Sequence, residues 1–184
     1  MSETHRSRLL AAASVLANEL RLDQLTIDAI AAHAGLSHAD FLKEFDSLDA
    51  YLVELHQQFM EHILASIVKD AGPLPPSLER MGRASSVQLD ICLEQRALRG
   101  LLSEARRMVP SVADVFHRRN QVTAVMIGIE LKALGCKQPT LFGRFYCMMV
   151  LEAAQIEADA CKMVPEARRA LADFLALSVP VRGI

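Results

Sequence analysis

The sequence predicts an all-α protein of about nine helices, on three observations. Ala, Leu, Met, Glu and Arg dominate the 184 residues, and these favour helix. Apolar residues recur at three- and four-residue spacing, as on a helix with one buried face. Runs of β-branched residues are short. At 52% hydrophobic, the chain is long enough for one or two small domains with a real core.

The elements follow in order. Leu9, Ala12, Ala13, Leu16 and Leu20 place a first helix over about residues 4–20, and RLDQL then breaks the pattern. Thr26 is a good N-cap for a second helix, and Asp28 in its first turn opposes the helix dipole. Gly35 ends that helix where a left-handed residue is wanted. Ser37 caps a third helix, and Asp40 three residues on completes a capping-box pattern, with Phe41, Leu42 and Phe45 as its apolar side. A long fourth helix, about 48–68, carries a stripe of Leu52, Leu55, Phe59, Ile63 and Ile67. AGPLPP at residues 71–76 is the clearest punctuation. Five further helices are expected at about 76–93, 95–107, 110–134, 139–163 and 165–178. Pro110, Pro139 and Pro165 stand near three of the starts, and Gly135 follows an end.

Charge divides the chain near the same punctuation. Residues 1–70 hold five basic against eleven acidic residues, a net of −6, and the remainder nets +4. We therefore expect residues 1–50 as an N-terminal three-helix domain, a linker helix to about residue 70, and a second helical domain over 71–184.

Several function classes find no support. There is no G-x-S-x-G, P-loop, dinucleotide fingerprint or zinc-protease motif, so no enzyme is expected. The four cysteines form no C-x-x-C pair and lie near no histidine at zinc spacing. No metal or cofactor is expected, and the cysteines read as small core hydrophobes. The N-terminus MSETHRSR is polar, and no apolar run reaches the ~18 residues of a membrane span. The expected setting is a reducing cytoplasm, with no membrane partner.

The run Ala12, Ala13, Leu16, then Leu25, Thr26, Ile30, Ala31, Ala34, Gly35, Leu36, Ser37, then Phe45, Ser47 and Leu52 resembles the N-terminal helix-turn-helix of TetR-type transcriptional regulators. The match covers residues 6 to 55, and beyond it only the architecture agrees. The resemblance implies a homodimer paired through its last two long helices and a third helix set in the DNA major groove. It also implies a C-terminal domain that takes a small apolar or anionic ligand and releases the operator. On that frame the residues expected at DNA are Arg6, Arg8, Thr26, Ser37, His38, Asp40 and Lys43. The pocket wall is expected at Phe59, Ile63, Leu101, Phe116, Val122 and Met126, with Gln121 as a polar contact. The dimer contact is expected at Phe142, Phe145, Met148, Met149, Leu151, Ala170, Phe174 and Leu177. Arg106-Arg107 and Arg118-Arg119 are basic pairs suited to an anionic ligand.

The sequence also departs from the family pattern. Leu42 stands where the family has Tyr, Leu48 where it has Lys, Asp40 where it has Thr and Glu44 where it has His. A hydroxyl donor and an ammonium are replaced by hydrocarbon, and two positions become carboxylates, which donate nothing to phosphate. Two expectations therefore stand side by side. One is a ligand-responsive repressor on a double-stranded operator. The other is a protein of the same fold that has lost DNA binding and works through a protein partner, as an anti-repressor or DNA mimic.

Overall fold

Short-range chemistry sets most helix ends. The structure, a computed structural model, describes residues 4–180, and the helices within that range are α1 (His5–Leu16), α2 (Ile27–His33), α3 (His38–Glu44), α4 (Leu48–Asp70), α5 (Leu78–Glu94), α6 (Arg96–Met108), α7 (Pro110–Ala133), α8 (Pro139–Ala160) and α9 (Pro165–Ser178). Among the described residues there is no strand. A 3-10 turn, Leu22–Gln24, fills the break after α1.

The Thr26 hydroxyl accepts the Ala29 amide at 3.1 Å, which fixes the start of α2. Gly35 follows α2 at φ +65, a conformation glycine takes without a Cβ penalty. α1 ends sooner than expected, at Leu16. The Asn18 side-chain amide donates to the Ser14 carbonyl at 2.8 Å, competing for the helix's last backbone acceptors. α8 also stops early, at Ala160, where Cys161 takes the left-handed conformation at φ 51. Leu42 departs from its expected apolar role. It is 47% exposed, because it lies about 100° around α3 from fully buried Phe41.

The chain packs as two compact units. One comprises the chain through Met60 together with Gln95–Phe116, and the other comprises Glu61–Glu94 and the chain from His117 onward. This division differs from the single break expected near residue 70, because α6 packs against α1 and the 3-10 turn. In the first unit, α1, α2 and α3 pack on one another around Leu9, Ile30, Phe41 and Leu52, each essentially inaccessible. Burying each such side chain stabilises by about 1.5–3 kcal/mol. Phe41, Phe45 and Tyr51 form a ring cluster with centroids 5.1 to 5.5 Å apart. Inside it the Tyr51 hydroxyl donates to the Leu9 carbonyl at 2.8 Å, and burial pushes its pKa up.

In the second unit α8 packs against α5 and α9, which also touch each other. Two buried polar sets fix the register. The Ser85 hydroxyl donates to the Met81 carbonyl at 3.0 Å, so the Tyr146 hydroxyl, 2.6 Å away, supplies the proton between them. Glu157 of α8, wholly inaccessible, accepts from Arg168 Nε at 2.7 Å and Nη2 at 2.9 Å, and from the Val164 amide at 3.1 Å. Burial alone would raise the Glu157 pKa, but these donors outweigh it and the net shift is downward. α7 meets α8 at two buried glycines. A Cβ on Gly143 would stand 2.5 Å from the Ala124 carbonyl oxygen and 3.0 Å from the Gly128 nitrogen.

Candidate nucleic-acid interface

α2, the turn at Gly35 and α3 form the helix-turn-helix, and all seven residues expected at DNA lie on α1–α3 or their caps. The structure gives most of them work within the chain. Arg6 Nε donates to Glu54 Oε1 at 2.7 Å, Nη2 reaches Glu54 Oε2, and Nη1 reaches the Glu44 carbonyl. Its guanidinium lies over the Phe45 ring, 4.4 Å from the centroid. The hydrogen bonds to Glu54 raise the Arg6 pKa. Arg8 donates to the Ala34 carbonyl just after α2. A side chain added at Gly35 would meet the Arg8 guanidinium at 2.9 Å.

At α3 the capping box closes in both directions. Asp40 accepts from the Ser37 amide at 3.2 Å and hydroxyl at 2.6 Å, and the Ser37 oxygen accepts the Asp40 amide at 3.1 Å. Lys43 Nζ lies 2.8 Å from the other Asp40 oxygen. Lys43 chiefly, then Ser37, hold the Asp40 carboxyl far below the usual carboxylate range, and Lys43 is raised in turn. His38 Nδ1 sits 2.7 Å from Asp28 Oδ1, joining the start of α3 to the start of α2. The surface of this head therefore presents ion pairs more than free cations. Glu54, 48 residues from Arg6, was not legible as its partner from sequence, since nothing local links them.

The pocket residues fall into two groups. Phe59, Ile63 and Leu101 are buried, and Phe116 is half-buried. Val122 and Met126 are not buried wall residues within the single chain. Each is 56% exposed, because they share a face of α7 with Val125 and Ile129, while Ala124, Gly128 and Leu131 turn inward. Gln121 is exposed on the same helix. Sequence reasoning placed Arg106 only in a basic pair. The structure stacks its guanidinium over the Phe116 ring, 4.0 Å from the centroid, with the His56 ring edge-on to Phe116 at 5.9 Å. Burial first, then Arg99 and Arg107, lower the Arg106 pKa, and among the described residues no carboxylate pairs with it.

Of the residues expected at a dimer contact, Phe145, Met148, Ala170 and Leu177 are exposed, and Met149 and Leu151 are half-buried. Phe142 and Phe174 meet each other within the chain, with centroids 5.4 Å apart. No helix of the described residues is long and apolar enough to cross a membrane.

No family model and no curated protein matches the chain. Solved structures do. A transcriptional regulator from Rhodococcus sp. Rha1 matches with TM-score 0.79 at 16% identity, over 95% of this chain and 96% of that one. A TetR-family transcriptional regulator from Streptomyces coelicolor matches with TM-score 0.72 at 18% identity, over 95% of this chain and 78% of that one. The fatty acid degradation regulator FadR from Bacillus halodurans matches with TM-score 0.71 at 14% identity, over 100% of both chains. Identities this low speak for architecture, and on that ground the chain has the fold of the TetR-family transcriptional regulators.

Proposed function

We propose that the protein is a homodimeric, ligand-responsive transcriptional repressor that docks α3 of each subunit in the major groove of an operator. The observation that carries this reading is the helix-turn-helix, capped at Thr26 and Ser37 and turned at Gly35, in a chain whose whole length matches regulators of this fold. The ligand is an apolar molecule with an anionic end. Arg106 supports that class, because a half-buried cation beside two like charges gains most from an incoming anion. A fatty acid has this chemistry, and one of the similar structures is a fatty acid degradation regulator.

A second reading, action through a protein partner without DNA binding, is favoured by one observation. Arg6, His38 and Lys43 already face carboxylates of their own chain. One titration separates the two. Anisotropy with DNA from upstream of the protein's own gene, repeated across salt concentrations, should give nanomolar affinity and a steep negative salt slope for the repressor. Flat, micromolar binding would transfer the function to the protein-partner reading. Added dodecanoate should release the DNA from the native protein and release it poorly from R106M.

A further inference from the structure

Resting on the repressor reading above, we propose that Asp28 and His38 form a proton-dependent DNA contact: Asp28 holds His38 as the imidazolium when α3 enters the groove, each subunit takes up one proton, and the operator is held more tightly at pH 6 than at pH 8. The pair joins the first residue of α3 to the second residue of α2. His38 Nδ1 lies 2.7 Å from Asp28 Oδ1. An ionised carboxylate only accepts, so Nδ1 carries the proton between them. Nε2 is then the nitrogen left for DNA, and among the described residues it has no partner.

The state of Nε2 decides what it can touch. In neutral His38 it presents a lone pair, which phosphate oxygens and the guanine acceptors N7 and O6 repel. A proton taken from solvent at Nε2 turns that lone pair into an N–H donor suited to either acceptor. In the complex two charges favour the imidazolium: Asp28 at one ring nitrogen and the phosphates approaching the other. By linkage, DNA that binds the protonated form better is itself bound better as pH falls through the histidine range.

The surroundings single out His38. The pair is exposed, at 50% and 79%, so it adds little to stability and bears chiefly on the surface of the head. Across α1–α3, Arg6 is bonded to Glu54 and faces Glu44, Arg8 is bonded to the Ala34 carbonyl, and Lys43 to Asp40. Hydrogen bonds raise Arg6 and Lys43 and lower Asp40, so these pairs keep their charges through neutral pH. His5 on α1 and His33 on α2 are also exposed. Among the described residues His38 is the one of these three histidines with a carboxylate at hydrogen-bond distance.

A pH profile tests the dyad. Anisotropy with DNA from upstream of the protein's own gene, at fixed salt, should show affinity rising about tenfold or more from pH 8 to pH 6. In H38Q, which keeps a polar side chain that does not titrate, the change should shrink to about threefold or less, since the other histidines remain. D28N keeps an oxygen for Nδ1 but not the charge, and should flatten the rise between pH 8 and pH 7. At pH 6 a salt titration names the acceptor: a slope about one unit shallower per subunit in H38Q marks a phosphate, an unchanged slope a guanine. All these side chains are exposed, and an unchanged helical circular dichroism signal confirms the fold. A wild-type profile that is flat, or equally steep in H38Q or D28N, would overturn the dyad while leaving the repressor intact. So would affinity that rises with pH, which would mean that neutral Nε2 accepts from a base amino group. A wild-type chain that fails to bind this DNA at every pH would instead overturn the repressor reading, and the dyad with it.

Discussion

The two compact units handle charge and apolar surface in opposite ways. In the unit that contains α2 and α3, the ring cluster is closed inside and the ion pairs sit at the surface. Arg6 and Glu54 are 40% and 32% exposed, and an exposed Lys43 pairs with a half-buried Asp40 at α3. In the unit that contains α8 and α9, the most buried ion pair is at Glu157, while valine, isoleucine, phenylalanine and methionine lie outside. Exposed pairs contribute little stability but set the sign of a surface. A buried pair fixes how helices meet, and an exposed apolar face awaits a covering.

The largest expected effect tests the inside pair against the outside one. Glu157→Ala leaves Arg168 with Asp90 as its remaining partner and strips the Val164 amide of its acceptor in the α8–α9 junction. It should cost about 3–5 kcal/mol, the penalty for removing one partner of a buried ion pair. Glu54→Ala frees a half-exposed Arg6 and should cost under about 1 kcal/mol. Urea unfolding of both variants measures the difference, and equal losses would break the comparison.

Next comes packing. Gly143→Ala pushes a methyl against the Ala124 carbonyl and the Gly128 backbone, neither of which can swing aside. Overpacking of this kind costs about 1–3 kcal/mol. Gly100→Ala, in α6 of the other unit, meets nothing within 4 Å and should stabilise by about 0.5–1 kcal/mol. Opposite shifts in thermal midpoint are the expected outcome. A smaller loss is expected from Tyr51→Phe, which removes one buried hydrogen bond to Leu9 and should cost about 1 kcal/mol by urea unfolding.

How far the sequence showed these features depends on the range of the chemistry. The N-caps at Thr26 and Ser37, the left-handed Gly35 and the prolines opening α8 and α9 act within four residues, so they were readable. So was the all-α class. The pairing of Arg6 with Glu54, and of Arg168 with both Glu157 and Asp90, depends on which helices meet, which no local pattern states. The same holds for α6 joining the unit of α1, and for Val122 and Met126, whose periodicity marks an apolar face without saying what covers it. Leu42 shows the limit of counting apolar residues: one position past a buried phenylalanine on a seven-residue helix, it faces outward.

The smallest expected effect concerns the pH dependence of α3. Asp40 is held below the usual carboxylate range by Lys43, then by the Ser37 hydroxyl and amide. Because its folded pKa is depressed, its contribution is fully present above the ordinary aspartate value, near pH 4, and fades as pH falls toward the folded value. Asp40→Asn removes that dependence and keeps a side-chain oxygen able to accept from Ser37. The gap in unfolding stability between native protein and D40N should therefore be constant from pH 7 to about pH 5 and narrow steadily below about pH 4. Glu157 is present in both proteins, so its own acid titration cancels from the difference. A gap that held constant down to pH 3 would mean that α3 is not held by its capping carboxylate. The acid in this head would then act only through its surface charge.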